Sequence, residues 1–236
     1  MWDVAVITDI IKETKSNWRF TMESPLYDNI NYTAGMLIQL RIPGEDESWV
    51  IRNYSIASWP NGTNKLELIV TNLKGGKMSN YLFNECKIGD EIQYRGPMGV
   101  FTLPDKIDRD IFFVCTGSGI SPFRSMINYI SENNISTKKI YMIFGTRTKE
   151  DLVYYKEMLE LERKNPNFEY IPVLSRQDWE GKSGYVHDVY LDLIKNRKDN
   201  ALFYLCGWTE MINDTRNNLK QLGYKARKDI KVEIFG

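Results

Sequence analysis

Apolar and polar residues alternate with a period of two through most of the first half of the chain, then give way to long apolar runs separated by amphipathic stretches. Residues 4–7, 18–22, 36–42, 53–57 and 65–70 alternate in the way a strand with one buried face requires. Pro43-Gly44 and Asn61-Gly62 supply turns between them. A helical stretch over 77–84 interrupts the series, and Gly89-Asp90 turns into a further strand over 89–95. This spacing predicts an N-terminal antiparallel β-barrel or sandwich. Beyond Leu103-Pro104-Asp105 the texture changes. Residues 110–115 are continuously apolar, the mark of a strand buried on both faces. Helix 122–132, strand 139–144, helix 152–164, strand 168–174, helix 186–194, strand 201–205, helix 210–222 and strand 231–235 follow in alternation. That rhythm predicts a C-terminal α/β domain built on a parallel sheet. The expected division is residues 1–104 and 105–236.

Length permits this, since 236 residues hold two cores of roughly 100 residues or more each. The 31 basic and 31 acidic side chains cancel, so no bulk field favours nucleic acid or an anionic membrane. Met1-Trp2-Asp3-Val4 begins on a strand pattern without a basic stretch and apolar core, so no secretory leader is expected. No apolar run reaches the roughly 18 residues of a membrane span. Cys86, Cys115 and Cys206 are too far apart for a zinc or iron–sulfur pattern. The expectations are a reducing, cytoplasmic setting, no metal centre, and chemistry supplied by a bound organic cofactor.

Two stretches have the composition of phosphate cradles. Thr116-Gly117-Ser118-Gly119-Ile120-Ser121-Pro122-Phe123 sits between a buried strand and a helix. Glycines there let the backbone turn tightly against a pyrophosphate, and the helix start offers free N–H groups and positive partial charge. Pro122 suits the first turn, where its missing N–H is no loss. In the first half, Gly75-Gly76-Lys77-Met78-Ser79 opens a second helix, with Ser79 and backbone N–H groups as candidate donors. Nearby, Arg52-Asn53-Tyr54-Ser55 lies on a strand, with Arg52 and Tyr54 on one face and Asn53 and Ser55 on the other. A cation there suits a pyrophosphate, and an aromatic suits a flat ring. Two anion sites on unlike scaffolds point to two nucleotide cofactors, or one long one.

Arg52-x-Tyr54-Ser55, Gly76-Lys77-Met78-Ser79, Gly96-Pro97-x-Gly99, Gly117-x-Gly119-Ile120-x-Pro122, Cys206-Gly207-x-x-x-Met211 and Glu233-x-Phe235 occur in this order along nearly the whole chain. Together they resemble the ferredoxin–NADP reductase family. The resemblance implies an FAD-binding β-barrel followed by an NAD(P)-binding α/β domain. It implies that Arg52 pairs with the FAD pyrophosphate, Tyr54 packs on the flavin, and Ser55 lies near flavin N5. Gly76, Lys77, Met78 and Ser79 would hold the same pyrophosphate at the short helix. Thr116, Gly117, Gly119 and Pro122 would form the NAD(P) turn, with Cys206, Gly207 and Met211 near the nicotinamide. Glu233 matches a carboxylate near the flavin, and Phe235 the aromatic that covers it. Gly236 follows that aromatic, and Phe stands where plant-type members have Tyr. No cysteine set for a [2Fe–2S] cluster accompanies these motifs, unlike reductases fused to a ferredoxin domain.

The implied activity is electron transfer between NAD(P)H and a ferredoxin, a flavodoxin or an oxygenase component, with lysines near the flavin edge docking an acidic partner. Ser55, Cys206 and Glu233 are the candidate catalytic residues. Cys206 reads equally as a small buried residue at a strand end. Ser175-Arg176 matches a pair that binds the 2′-phosphate of NADPH, with Lys182 and Tyr185 as helpers. Trp179, Gly181 and Gly184-Tyr185-Val186 also occur in NADH-using relatives, so NADPH is favoured only slightly. Arg147 either reaches the nucleotide or is solvated. A free-flavin reductase, a component of a multi-subunit oxygenase or dehydrogenase, and a non-catalytic nucleotide sensor are the rival readings. His187 is expected at the surface, Asp151 and Glu157 as helix-solubilising charges, and most of Trp2, Trp18, Trp49, Trp59, Trp179 and Trp208 in the core or between domains.

Overall fold

Two six-stranded sheets carry the chain, one for each half of the sequence. The computed structural model describes residues 1–45, 48–195 and 201–234. In the first sheet β1 (Asp3–Lys12), β2 (Asn17–Glu23), β3 (Leu37–Pro43), β4 (Trp49–Ser55), β5 (Lys65–Thr71) and β6 (Glu91–Met98) lie in the order β4-β3-β6-β1-β2-β5. All its pairs are antiparallel. A bridge between Ile56 and Leu68 joins the two outer strands and closes the sheet into a barrel, which removes its exposed edges. Ala5, Ile7, Phe20, Met22, Ile38, Leu40, Leu66 and Leu68 fill the interior at alternate positions. Helix α1 (Lys77–Asn84) adds Met78 and Leu82 to that core.

β4 begins four residues earlier than the alternation predicts. Its register with β3 runs unbroken from Trp49 opposite Pro43 to Ser55 opposite Leu37. Pairing with β3 therefore adds Trp49, Val50 and Ile51 ahead of Arg52-Asn53-Tyr54-Ser55, which the sequence already places on a strand.

The second sheet contains β7 (Asp110–Thr116), β8 (Ile140–Thr146), β9 (Phe168–Leu174), β10 (Lys182–Ser183), β11 (Ala201–Gly207) and β12 (Ile230–Ile234), ordered β10-β9-β8-β7-β11-β12 and wholly parallel. Helices α2 (Ser121–Glu132), α3 (Tyr155–Lys164), α4 (Val186–Ile194) and α5 (Thr209–Gln221) connect the strands. Along β7, Ile111, Phe113 and Cys115 face one core layer and Phe112 and Val114 the other. Both faces are covered, which explains the unbroken apolar run. Strand order reverses between β7 and β11, so the chain leaves these neighbours in opposite directions and opens a crevice at their C-terminal ends.

Helix α3 starts three residues late. Lys149–Asp151 forms a 3₁₀ turn closed by Thr148 and Asp151, and Tyr154 then adopts a left-handed φ of 59°. Asp151 is thus a capping residue rather than a solubilising charge. Of the tryptophans, Trp18 and Trp179 pack against core clusters and Trp59 lies against Arg124 between the halves, whereas Trp49 and Trp208 are about half exposed. Trp49 stacks on Arg41, which stacks on Trp2 in turn. His187 is half-buried, with Nδ1 against the Tyr190 hydroxyl, and burial lowers its pKa. No helix among the described residues is long and apolar enough to cross a membrane.

The halves share one core layer. Ala34, Ala57, Ile69 and Phe101 from the first half pack with Phe113, Phe123, Met126 and Tyr204 of the second. Phe101 sits 5.9 Å from Phe123 and 5.4 Å from Tyr204, ring centre to ring centre. This explains why α2 is buried almost all round: it lies between the parallel sheet and the barrel. At the seam Gly35 has φ +97°, and a Cβ there would fall 2.2 Å from the Phe101 carbonyl oxygen and 2.3 Å from Met126 Cε. Gly62, at φ +76°, has open space instead. Gly35→Ala should therefore cost about 2 kcal/mol more than Gly62→Ala in denaturant unfolding, since only the former adds overpacking to backbone strain. Equal losses would show that the seam yields.

Candidate functional site

The crevice at the ends of β7 and β11 gathers Thr116, Gly117, Gly119, Cys206 and Gly207, with Glu233 and Ser55 beside them. Its floor is the end of β7, where Thr116 leads into a 3₁₀ turn over Gly117–Ile120 and then α2. No side chain caps the 3₁₀ turn, so its first N–H groups keep their donor capacity, while the first N–H of α2, at Ser121, donates to the Ser118 carbonyl. Gly117 has φ +56°, a conformation that favours glycine. Gly119 lies against the neighbouring strand end: a Cβ would stand 2.3 Å from the Cys206 carbonyl oxygen and 2.7 Å from Gly207 N. Gly207, at φ +135°, answers from the other side, where a Cβ would fall 2.4 Å from Thr116 Oγ1. Thr116 Oγ1 accepts a 3.0 Å hydrogen bond from Trp208 N–H, locking the two turns together. Pro122 is buried in the first turn of α2.

β12 forms the wall beside this floor. Glu233 sits opposite Cys206 in the parallel register, and Cys206 opposite Cys115. The Ser55 hydroxyl, at the end of β4 in the barrel, donates to Glu233 Oε1 across 178 residues of sequence. Ser55 is buried. Burial pushes the Glu233 carboxyl up to about 7, only partly opposed by the Ser55 hydrogen bond. Cys206 is fully buried, and burial, then Glu233, then Cys115 push its thiol well above the usual range. It has the surroundings of a packing residue, as the alternative sequence reading describes, and its thiol stays protonated.

On the barrel side, Arg52 is exposed, and its Nη1 donates to the Ile51 carbonyl at 2.7 Å. Tyr54 is half-buried beside it, and burial raises its hydroxyl pKa while Arg52 opposes this. The start of α1 follows a Gly76 N-cap without a side-chain cap, and Gly75, at φ +79°, faces open space. Lys77 is exposed and pairs with Glu45 at 3.3 Å. The Met78 and Ser79 side chains are both buried, so the donors this turn offers are backbone N–H groups. The Met78 side chain lies in the barrel core. The Ser79 hydroxyl donates to the Gly76 and Leu73 carbonyls at 3.0 and 3.1 Å, so it shapes the loop. Met211 is likewise a core residue, with its sulfur accepting from Thr215 Oγ1 at 3.7 Å.

Further along the crevice, Arg176 N–H donates to the Arg147 carbonyl at 3.0 Å, which sets two exposed arginines side by side. Ser175 is tied to Thr146 through both its N–H and its hydroxyl. Tyr185 and Lys182 are exposed nearby on the segment that ends at α4. Phe235 lies outside the described residues.

One cluster escapes the sequence reading. Arg124 on α2 is only 4% exposed, and its Nη1 donates to Glu67 Oε2 at 2.6 Å and to the Ala57 carbonyl at 2.9 Å. Its Nε donates to Glu157 Oε1 at 2.8 Å. Glu157 is therefore a partner of a buried cation rather than a solubilising charge. The available signal was an arginine set among apolar residues of a helix, with Asn128 one turn on; Asn128 also donates to Glu157.

These features suit two nucleotides. An exposed arginine beside an uncapped helix start has the donors an anion needs, and a glycine turn too tight for any Cβ at Gly119 has the backbone shape of another such site. Residues 4–103 match the family model for the oxidoreductase FAD-binding domain, and residues 113–217 that for the oxidoreductase NAD-binding domain. The chain is 33% identical over 215 residues to ferredoxin–NADP reductase B of Sorangium cellulosum, covering 86% of this chain and 85% of that protein. It is 31% identical over 194 residues to the anthranilate 1,2-dioxygenase electron transfer component of Acinetobacter baylyi, covering 81% of this chain but 55% of the relative. The chain thus spans little more than half the length of several such relatives. A ferredoxin NADP+ reductase from Neisseria gonorrhoeae, solved with FAD and NADP, shares the fold at a TM-score of 0.83 and 23% identity over 99% of this chain and 98% of that one. By fold, motif order and both domain matches, the chain belongs to the ferredoxin–NADP reductase family of FAD- and NAD(P)-binding oxidoreductases.

Proposed function

We propose that the chain is an FAD-dependent oxidoreductase that moves electrons between NADPH or NADH and a one-electron carrier, namely a ferredoxin, a flavodoxin or an oxygenase component. The contact of Ser55 with Glu233 carries this reading, because it sets the barrel's outer strand beside the strand ends where the nucleotide turn opens. Relatives named as a ferredoxin–NADP reductase and as a dioxygenase electron transfer component support it. In this reading residues 1–104 hold FAD and residues 105–236 hold the nicotinamide nucleotide.

Arg52 and the first turn of α1, at Gly76 and Lys77, would hold the FAD pyrophosphate, with Tyr54 against the ring. Gly117 and Gly119 would admit the second pyrophosphate to the start of α2. Arg176, beside Arg147, would face a 2′-phosphate with its planar fork. When bound, the flavin supplies the capacity to take an electron pair and release it one electron at a time. The protein's part is placement: Ser55 sets its hydroxyl by donating to Glu233, and Glu233 Oε1 and Oε2 hold or release a proton near neutrality. Cys206 and Gly207 form the wall opposite.

Purified protein should be yellow or take up FAD on reconstitution, and NADPH or NADH should bleach it. Ser55→Ala should slow the bleaching by about tenfold or more in stopped flow. An unchanged rate removes Ser55 from the mechanism, and a protein that takes up no flavin ends the reading.

Glu233 also sets a pH dependence. Its carboxyl titrates near 7 when folded against an ordinary value of 4.5, so the folded chain binds the extra proton between these values. Stability contributed by the protonated form is complete below the lower value and is lost as pH rises through the upper one. Glu233→Gln should flatten the decline in denaturant midpoint between pH 5 and 7.5; an unaltered slope would place the titration elsewhere.

Arg176→Ala should lower kcat/KM for NADPH by about tenfold or more and leave that for NADH within roughly twofold. Equal losses for both nucleotides would mean that Arg176 does not read the phosphate.

A further inference from the structure

Segment 55–57 of the barrel is held by the second half at two points two residues apart. Ser55 donates to Glu233 on β12, and the Ala57 carbonyl accepts from Arg124 Nη1 at 2.9 Å on α2. The same Nη1 reaches Glu67 Oε2 on β5 at 2.6 Å, and Ala57 N–H donates to the backbone carbonyl of Glu67 at 2.7 Å. Arg124 therefore grips both strands that close the barrel. On its own side, Nε donates to both oxygens of Glu157 at 2.8 and 3.1 Å, and the guanidinium lies 4.2 Å from the Tyr154 ring centre; across the seam, the Trp59 ring centre is 5.3 Å away. Glu67 is tied further into the barrel by Arg19, at 2.9 Å.

Arg124 stands seven residues beyond Gly117, one turn into the helix that starts at the glycine turn. That turn is jammed against Cys206 at Gly119, Cys206 lies opposite Glu233, and Glu233 holds Ser55. The contacts form a closed circuit from Ala57 through α2, the turn, β11 and β12, and back to Ser55.

We propose that Arg124 is a positioning residue: through Glu67 and the Ala57 carbonyl it fixes where Ser55 stands relative to the glycine turn of the second half. The proposal rests on the functional reading above for its kinetic consequence, but not for its structural one. The chemistry favours arginine here because a planar fork serves three acceptors at once, two across the seam and one within its own half, where an ammonium would be a point charge. Burial makes the arrangement sharply defined, since an unmet donor in this place is costly.

Two carboxylates of the same guanidinium supply the test. Glu67→Ala cuts the cross-seam bond together with the Arg19 bond inside the barrel, Arg19→Ala leaves the cross-seam bond and should behave like wild type in the readouts below, and Glu157→Ala cuts a bond within the second half; the Gln variants at both carboxylates serve where an Ala variant does not fold. The first readout is hydrogen–deuterium exchange of flavin-free protein over residues 53–58. Exchange should rise about tenfold in the Glu67 variant and stay within roughly twofold in the Glu157 variant. The second is flavin bleaching by NAD(P)H, where the Glu67 variant should lose about tenfold in saturating rate with KM within roughly twofold, and the Glu157 variant neither. If both variants lower the melting temperature and leave these readouts alike, Arg124 is a structural residue and the proposal falls. If wild-type protein takes up no flavin, the functional reading fails, and the exchange contrast still decides the role of Arg124.

Discussion

The approach of Gly119 to the Cys206 carbonyl sets the architecture of the crevice. Two parallel strands, β7 and β11, end side by side and send their chains in opposite directions. Their turns can meet only if one lacks a side chain at the contact, and both do: Gly119 and Gly207 each leave room that a Cβ would fill at 2.3 to 2.4 Å. The close fit brings an uncapped helix start to the strand ends, and with it a fixed positive partial charge. Everything placed there, from Thr116 to Trp208, inherits its position from backbone rather than from flexible side chains.

Burial of the seam then decides the chemistry of the groups around the crevice. The same loss of solvent that lifts the Glu233 carboxyl toward neutrality keeps the Cys206 thiol protonated. One group therefore becomes sensitive to pH near neutrality and its neighbour becomes inert. Arg124 shows the opposite response to burial. Its desolvation is outweighed by Tyr154, Glu157 and Glu67, so it remains a cation and organises acceptors from both halves.

Much of this was legible in the sequence because local pattern and tertiary role agree there. The continuous apolar run at Ile111–Cys115 could only be a strand covered on both faces, and the glycines at 117 and 119 could only mark a tight turn before the helix that Pro122 opens. Where the two disagree, the reading missed. β4 starts as early as Trp49 because β3 supplies partners back to Pro43, a reach that the local alternation does not mark. β10 is two polar residues made into a strand by β9 alone. Glu157 shows the same limit at the level of the site: on a helical wheel it is an ordinary outward charge, and only the packing of α2 against α3 puts a buried guanidinium beneath it. The contact between Ser55 and Glu233, 178 residues apart, went unread: the family resemblance set each near the flavin but did not pair them, and no local period encodes it.

The placement of chemistry at the seam follows from what each half can offer alone. A closed barrel has few free backbone donors, so what it can offer an anion is an arginine on its outer strand and the start of one short helix. A parallel sheet is richer in such donors, because every crossover ends with a helix start near the strand ends. The barrel brings Ser55, and the sheet brings Glu233 and the Gly117–Gly119 turn. A chain that must hold two planar cofactors in register therefore needs both scaffolds and a stiff joint between them. The shared layer of Phe101, Phe123 and Tyr204, with Arg124 at its margin, is that joint.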